Sequence, residues 1–323
     1  MRSFGAPAKG WSKVSRAGTV KDGAWCALLV AACGVLASYL PPLFLVAAVV
    51  IPSFPAVCVV RRSLATALVA LVAATGLLVW PLAPTGAVFM VVQLALPGVV
   101  LGLLFKNRTG ALKGFLGATA GQFFFTGVAW VWYWAVTGEN PFSAASLRTA
   151  VDAAVAMYAR SGGNPAAVGA LTEAGRLMLL LWPGIVVVWL AGSMALAYFW
   201  TRFLLGRAGG PVSPVAPFYM WHLPWYGIWS IIAGLALWLA GSQFGWPLVN
   251  QAGANLLYVA AVVYLVLGLA AAAFHYRRLA GLRVVQLLLL VALVVAWQVT
   301  VPLLVVAGVV DSIVGLRRRS GKS

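Results

Sequence analysis

The residues able to do acid–base, metal or nucleophilic chemistry in this 323-residue sequence are few. The carboxylates are Asp22, Glu139, Asp152, Glu173 and Asp311, the histidines His222 and His275, and the cysteines Cys26, Cys33 and Cys58. No carboxylate falls in the middle of an apolar run. Proton relays place an ionisable group inside the bilayer, and intramembrane aspartyl catalysis needs two carboxylates there, so neither chemistry has its residues. Each histidine lies at a predicted boundary of the apolar runs, with no ligand partner at helical spacing. That excludes HExxH-type zinc chemistry and leaves interfacial hydrogen bonding. Cys26 and Cys33 sit on one predicted helix with about 10 Å between Cα atoms, beyond disulfide reach. All three cysteines read as small buried apolar side chains. Ser193, after Gly192, offers a hydroxyl without a buried base, and beside Ala191 and Ala195 it reads as a packing residue. Ser320-Gly321-Lys322-Ser323 has the letters of a phosphate-binding loop, yet Leu316 stands where the first glycine belongs. The sequence therefore predicts a non-enzyme with no catalytic residue, no metal site and no cofactor.

The elements that must position these groups are membrane helices. Hydrophobic residues make up 63% of the sequence and charged ones 8%, with a mean hydropathy of +0.99. No soluble domain is built this way. Apolar runs at 23–40, 43–60, 63–80, 86–105, 114–136, 177–203, 226–244, 254–274 and 284–307 predict an all-α, polytopic transmembrane helix bundle of about eight to ten hydrophobic segments. Pro41, Pro42, Pro81 and Pro84 separate runs, whereas Pro52, Pro55 and Pro302 fall inside them. The first run is too long, and too closely followed by others, to be a cleaved signal. The formal charge of +17 is gathered in short clusters between runs. Anionic lipid headgroups are the natural counter-charge, so the expected partner is the lipid bilayer and not nucleic acid.

With the N-terminal tail in the cytoplasm, the basic clusters at 61–62, 106–113, 202–207 and 277–283 all fall inside. Arg148, Arg160 and Arg176, in the hydrophilic segment 137–176, fall outside. The expectation is a multi-pass protein of the bacterial cytoplasmic (plasma) membrane with its N-terminus in the cytoplasm. A ninth simple span would carry Arg317-Arg318-Arg319 and Lys322 outside, so Pro302 is expected to mark a re-entrant turn. Within 137–176, Leu147, Val151, Val155 and Tyr158 recur at helical spacing and predict an amphipathic helix ended by Ser161-Gly162-Gly163. Asn164-Pro165 then starts a second helix that feeds 177–203. Pro217 and Pro224, with Tyr219, Trp221 and Trp225, make 216–225 an interfacial elbow between two membrane halves. The predicted order is a basic tail (1–22), a six-span bundle (23–207) with outer loop 137–176, the elbow region (208–225), C-terminal membrane helices (226–316) and a basic tail (317–323).

Small residues recur four apart at Gly23, Ala27 and Ala31, at Gly98 and Gly102, and at Gly117 and Gly121. Such spacing lets helix backbones approach closely. The later two pairs are read as internal packing, and the first stripe as a candidate partner interface. Trp130, Trp132, Tyr133 and Trp134 close the fifth run as an aromatic belt or, with Gln93 and Gln122, a ligand wall. Gln93, Gln122, Trp130, Tyr133 and Trp134 are accordingly the candidate ligand-binding residues. Asn250, Gln251 and Asn255 crowd the start of the eighth run, and each amide needs a partner.

Leu181-Trp182-Pro183 followed by Tyr198 and Arg202 resembles an "LxP … NYxxxR" stretch, with Ala197 in place of the usual asparagine. Phe218, Trp221-His222-Leu223-Pro224, Asn255-Leu256, Tyr264, Gly268, Gly308, Asp311-Ser312 and Arg317-Arg318-Arg319 continue that pattern. Together they resemble the YybS-like bacterial membrane proteins, a family of unknown function. The first six spans also resemble, more weakly, the substrate-binding S component of energy-coupling-factor vitamin transporters. There Ala27 and Ala31 match an AxxxA stripe on helix 1, and the resemblance implies a transmembrane coupling subunit with an ATPase as partner. Two functional readings follow: a solute-binding subunit, or a non-transporting scaffold or accessory protein of the cell envelope.

Overall fold

The computed structural model describes residues 16–140, 143–162, 164–210, 212–278, 295–315 and 317. Most of the expected basic N-terminal tail, the start of the last apolar run and the expected basic residues after Arg317 lie outside these. The described chain is built from α1 (Arg16–Tyr39), α2 (Pro41–Val50), α3 (Ser53–Arg61), α4 (Leu64–Met90), α5 (Leu96–Lys106), α6 (Ala111–Thr137), α7 (Ala144–Arg160), α8 (Pro165–Arg207), α9 (Trp229–Gln243), α10 (Pro247–Arg278) and α11 (Trp297–Val314). Seven helical stretches among the described residues are long and apolar enough to cross a bilayer. The fold is an all-α polytopic bundle. The chain clusters into two units, Met1–Pro141 with Leu190–Pro214, and Phe142–Trp189 with Val215–Ser323. Residues 142–189 group with the C-terminal helices.

In the first unit, prolines set the breaks. Ala83, two residues after Pro81 and immediately before Pro84, has φ 58 and ψ 164 inside α4. The residue before a proline is driven out of the α region, and here the chain reverses. The contacts of Gly34 show the reversal: a methyl group built there would meet Leu78 at 3.1 Å and Met90 at 3.6 Å. A straight helix would hold those two side chains about 18 Å apart. The predicted runs 63–80 and 86–105 are therefore separate legs. α6 is long enough for a further pass, although its Gly, Thr, Gln and aromatic residues make it less apolar.

The ends of these helices are tied in two groups. Asp22 pairs with Arg62 at 2.7 Å, and Ser213 donates to the Thr109 carbonyl at 2.8 Å while Arg202 donates to the Ser213 carbonyl at 3.2 Å. At the predicted opposite ends, Tyr39 donates to the Pro81 carbonyl at 3.2 Å, and Phe89 meets Tyr133 edge-on with centroids 5.5 Å apart.

In the second unit, α7 carries the predicted amphipathic face, and Val151 packs directly on Gly175 of α8. α8 is one helix of 43 residues, so the segment beginning at Pro165 does run on into the sixth apolar run. α9 and α10 form a close hairpin in which Gly241 lies against Asn250, and Gly253 against Trp238. α10 and α11 cross with Gly268 on the Leu304 backbone and Gly308 on the Tyr264 backbone. A Cβ at either glycine would collide, so only glycine permits this approach.

One expectation about the chain's end needs correction. Pro302 lies inside the continuous helix α11 and makes no re-entrant turn. It is the sixth residue of α11, so it removes the bond to the Gln298 carbonyl without turning the chain back, and the break comes before Trp297 instead. Arg317 lies at the same end as Arg277. Both side chains contact Tyr219, so α10 and α11 run in the same sense and bring their basic ends together.

Candidate functional site

The elbow is the one long non-helical stretch in the described second unit, and its prolines explain why. Pro217 (φ −54, ψ 142) and Pro224 (φ −58, ψ 151) hold extended backbone, each followed by a single 3₁₀ turn. Irregular backbone in a membrane protein leaves carbonyls without ladder partners. Here Trp221 Nε1 donates to the Ala216 carbonyl at 2.9 Å, and Arg317 serves two more. Its Nη1 donates to the Tyr219 carbonyl and its Nη2 to the Trp221 carbonyl, each at 2.7 Å. Arg277 lies over the Tyr219 ring, 4.2 Å from the centroid, a cation–π contact.

Arg317 reaches this position because Gly315 ends α11 in the left-handed region (φ 63, ψ 42), and its N–H caps the Asp311 carbonyl. That geometry suits glycine and turns the chain back on the last helical turn. Arg317 Nε then meets Asp311 Oδ2 at 2.9 Å, with Nη2 at 2.5 Å from the same oxygen. Asp311 is 5% exposed. Its other oxygen, Oδ1, is buried with no hydrogen-bond partner among the described residues. A cavity of about 520 Å³ opens beside the pair, lined by Tyr219, His222, Trp225, Phe274, Asp311 and Arg317 among others.

The pair could not be seen from apolar runs alone. In the sequence Arg317 reads as an orienting charge, and Asp311 lies beyond the last apolar run. The available signal was an acid near the end of a very apolar helix, followed by glycine four residues on and arginine six residues on.

The other candidate residues are placed as follows. Gln93 and Gln122 come together. Pro97 has no N–H to give the Gln93 carbonyl four residues back, and the chain passes through a short π-helical turn, Val91–Ala95. Gln122 Nε2 donates to that carbonyl at 3.1 Å and to Thr126 Oγ1 at 3.2 Å. Trp130, Tyr133 and Trp134 lie further along α6. Trp130 is half-buried, Tyr133 packs against Phe89, and Trp134 is exposed. Trp130 stands about 12 Å along the helix from Gln122, so the five residues do not converge on one chamber.

Gly98 and Gly102 face the α3 backbone, where added methyl groups would collide with the Pro52 carbonyl and with Ala56. Gly117 and Gly121 face Leu104 and Val100, each at 3.2 Å from a built methyl. The Gly23, Ala27 and Ala31 stripe faces inward as well. Ala27 is 4% and Ala31 8% exposed, and a methyl built on Gly23 would meet Thr66 at 3.3 Å. The chain's own helices cover the stripe. The reason is α4, whose apolar first leg needs the same small-residue groove.

Asn255 repairs a second proline break. Pro183 interrupts α8, and the Asn255 amide inserts between groups that an unbroken helix would pair. Oδ1 accepts from Gly184 N–H at 2.5 Å, and Nδ2 donates to the Leu180 carbonyl at 2.9 Å and to the Gln251 carbonyl at 2.7 Å. Gln251 adds a bond to Leu180 at 3.3 Å. Ser193 is buried and donates to its own helix at Leu190. His222 is exposed, its Nδ1 3.2 Å from the Met220 carbonyl. Cys26 and Cys58 are buried and free. No group of three His, Cys, Asp or Glu among the described residues could hold a metal ion.

Long apolar helices, glycine crossings and side-chain amides closing helix breaks define a polytopic integral membrane protein. Family comparison agrees and goes one step further. The chain belongs to the family described as predicted membrane protein (DUF2232), which matches residues 28–312. No curated protein and no solved structure matches it.

Proposed function

We propose that this chain is a non-enzymatic scaffold or accessory protein of the bacterial plasma membrane, YybS-like in kind, with its N-terminal tail in the cytoplasm. The observation that carries the reading is how the first unit is filled. Gly98, Gly102, Gly117 and Gly121 bring α3, α5 and α6 into direct contact, and Gln122 spends its amide on Gln93 and Thr126. A solute-binding S-component-like subunit would need a chamber among these helices and an outward stripe on α1. Ala27 and Ala31 are instead buried within the unit. The orientation rests on the basic clusters, and the Asp22–Arg62 and Arg202–Ser213–Thr109 ties support it by joining segments assigned to one side.

The test is gentle extraction of the full chain and mass spectrometry of the intact assembly. The scaffold reading expects membrane proteins without an ATPase. Stoichiometric co-isolation of a coupling subunit with its ATPase overturns it. Sidedness is checked by thiol labelling in intact cells: Ser143→Cys should react from outside and Ser63→Cys should be protected.

A further inference from the structure

We propose that the end of the first unit where α5 turns into α6 binds one anionic phospholipid, whose phosphate is held by Lys106, Arg108, Lys113 and Arg202. Two segments far apart in the sequence build the site. Arg202 of α8 donates through Nε to the Ser213 carbonyl at 3.2 Å, and the Ser213 hydroxyl donates to the Thr109 carbonyl at 2.8 Å. Those bonds hold Arg202 beside the turn at 107–110, around which Lys106, Arg108 and Lys113 are exposed. None of the described hydrogen bonds uses the two terminal amino groups of Arg202. Nor is a carboxylate at hand. Of the two in this unit, Asp22 pairs with Arg62, and Glu139 stands beyond the far end of α6.

The turn itself is strained to carry a cation. Thr109 N–H donates to the Leu104 carbonyl at 3.1 Å and Arg108 N–H to the Phe105 carbonyl at 3.0 Å, the paired bonds that close a helix through a left-handed residue. Glycine is the usual residue there, yet Arg108 holds the position at φ 51. Lys106 already gives the last turn of α5 a cation, so the helix end alone does not call for a second. Cations gathered without an acid repel one another, and a bound anion relieves that. A lipid fits better than free phosphate or an acidic protein, because the cations border exposed apolar surface. Leu116, one turn along α6 from Lys113, and Phe199, one turn back along α8 from Arg202, are both exposed. Acyl chains cover such surface while the phosphate meets the cations at the helix ends.

The test is native mass spectrometry of the full chain in neutral detergent with dioleoyl-phosphatidylglycerol, dioleoyl-phosphatidylcholine or sodium phosphate added. One phosphatidylglycerol should be retained per chain, about tenfold or more tightly than phosphatidylcholine, and phosphate should not displace it. Arg108→Gly relieves the left-handed backbone and removes one cation. It should weaken phosphatidylglycerol binding about fivefold while the thermal midpoint in lipid-free detergent holds or rises, a pairing that a merely structural arginine would not give. Adding Lys113→Gln should bring the loss to about 25-fold. Arg148→Gln with Arg160→Gln removes as much charge from α7 and should leave binding within about twofold. Equal retention of the two lipids, displacement by phosphate, Arg108→Gly protein that keeps its affinity, or an equal loss in the α7 variant overturns the proposal. The lipid ranking is read on the unaltered chain and stands if a variant fails to fold.

Discussion

Gln122 in the first unit and Asp311 in the second are both buried polar side chains at a disturbance in the helical backbone, and they end differently. Gln122 closes a gap. Its amide reaches the Gln93 carbonyl that Pro97 cannot serve, and a second bond goes to Thr126. Asp311 holds Arg317 against the elbow through one oxygen and keeps the other unbonded among the described residues. The first arrangement is a repair and stays inside the packing. The second stands at a cavity wall. Intramembrane polarity is therefore no functional signal until its hydrogen bonds are accounted for.

The sharpest way to break the contrast is to remove the clamp. Arg317→Ala leaves Asp311 buried and unpaired and two elbow carbonyls unserved, and should destabilise the protein by about 3–5 kcal/mol. Thermal or detergent unfolding in lipid reports it, and a loss no larger than that of a surface arginine would mean the elbow is held by something else. Overpacking comes next. Ala27→Leu and Gly98→Leu should each lower stability by about 1–3 kcal/mol, because both positions abut neighbouring helices with no room for a longer side chain. Unchanged unfolding for Ala27→Leu would return the stripe to a lipid- or partner-facing role.

The amides should rank by how many groups they serve. Asn255→Ala strips partners from Gly184, Leu180 and Gln251 and should cost about 1–3 kcal/mol. Gln122→Ala should cost less, about 0.6–1.7 kcal/mol, the range of single interhelical hydrogen bonds in membranes. The reverse order would put the weight on the π-turn. The smallest effect is expected at Tyr264, fully buried, with its hydroxyl unpartnered among the described residues. Tyr264→Phe should be neutral or stabilise by up to about 1 kcal/mol.

The helices were legible because a bilayer demands long apolar runs. Breaks at Pro41, Pro81 and Pro84 and the Asn164-Pro165 helix start were legible for the same local reason, since proline restricts backbone whatever surrounds it. Pro302 misled because a proline inside a helix removes one ladder bond without forcing the chain to turn back. Gln93 and Gln122 read from the sequence as candidate ligand groups, because only the fold pairs a side chain with a backbone carbonyl 29 positions away. Ala27 and Ala31 showed that a close approach was possible, not which helix would make it. Arg317 shows the deepest limit. Its charge reads as an orienting signal, yet the Gly315 turn commits it to an ion pair.

The central claim, that Asp311 and Arg317 act as one clamp on the elbow, is tested most directly by a double-mutant cycle with Asp311→Leu and Arg317→Met, read by unfolding of the full chain in lipid. The account predicts strong non-additivity: each single change leaves a buried charge alone, and the double change is milder than their sum by about 1–3 kcal/mol. Additivity within about 0.5 kcal/mol would contradict it, because the two residues would then act independently.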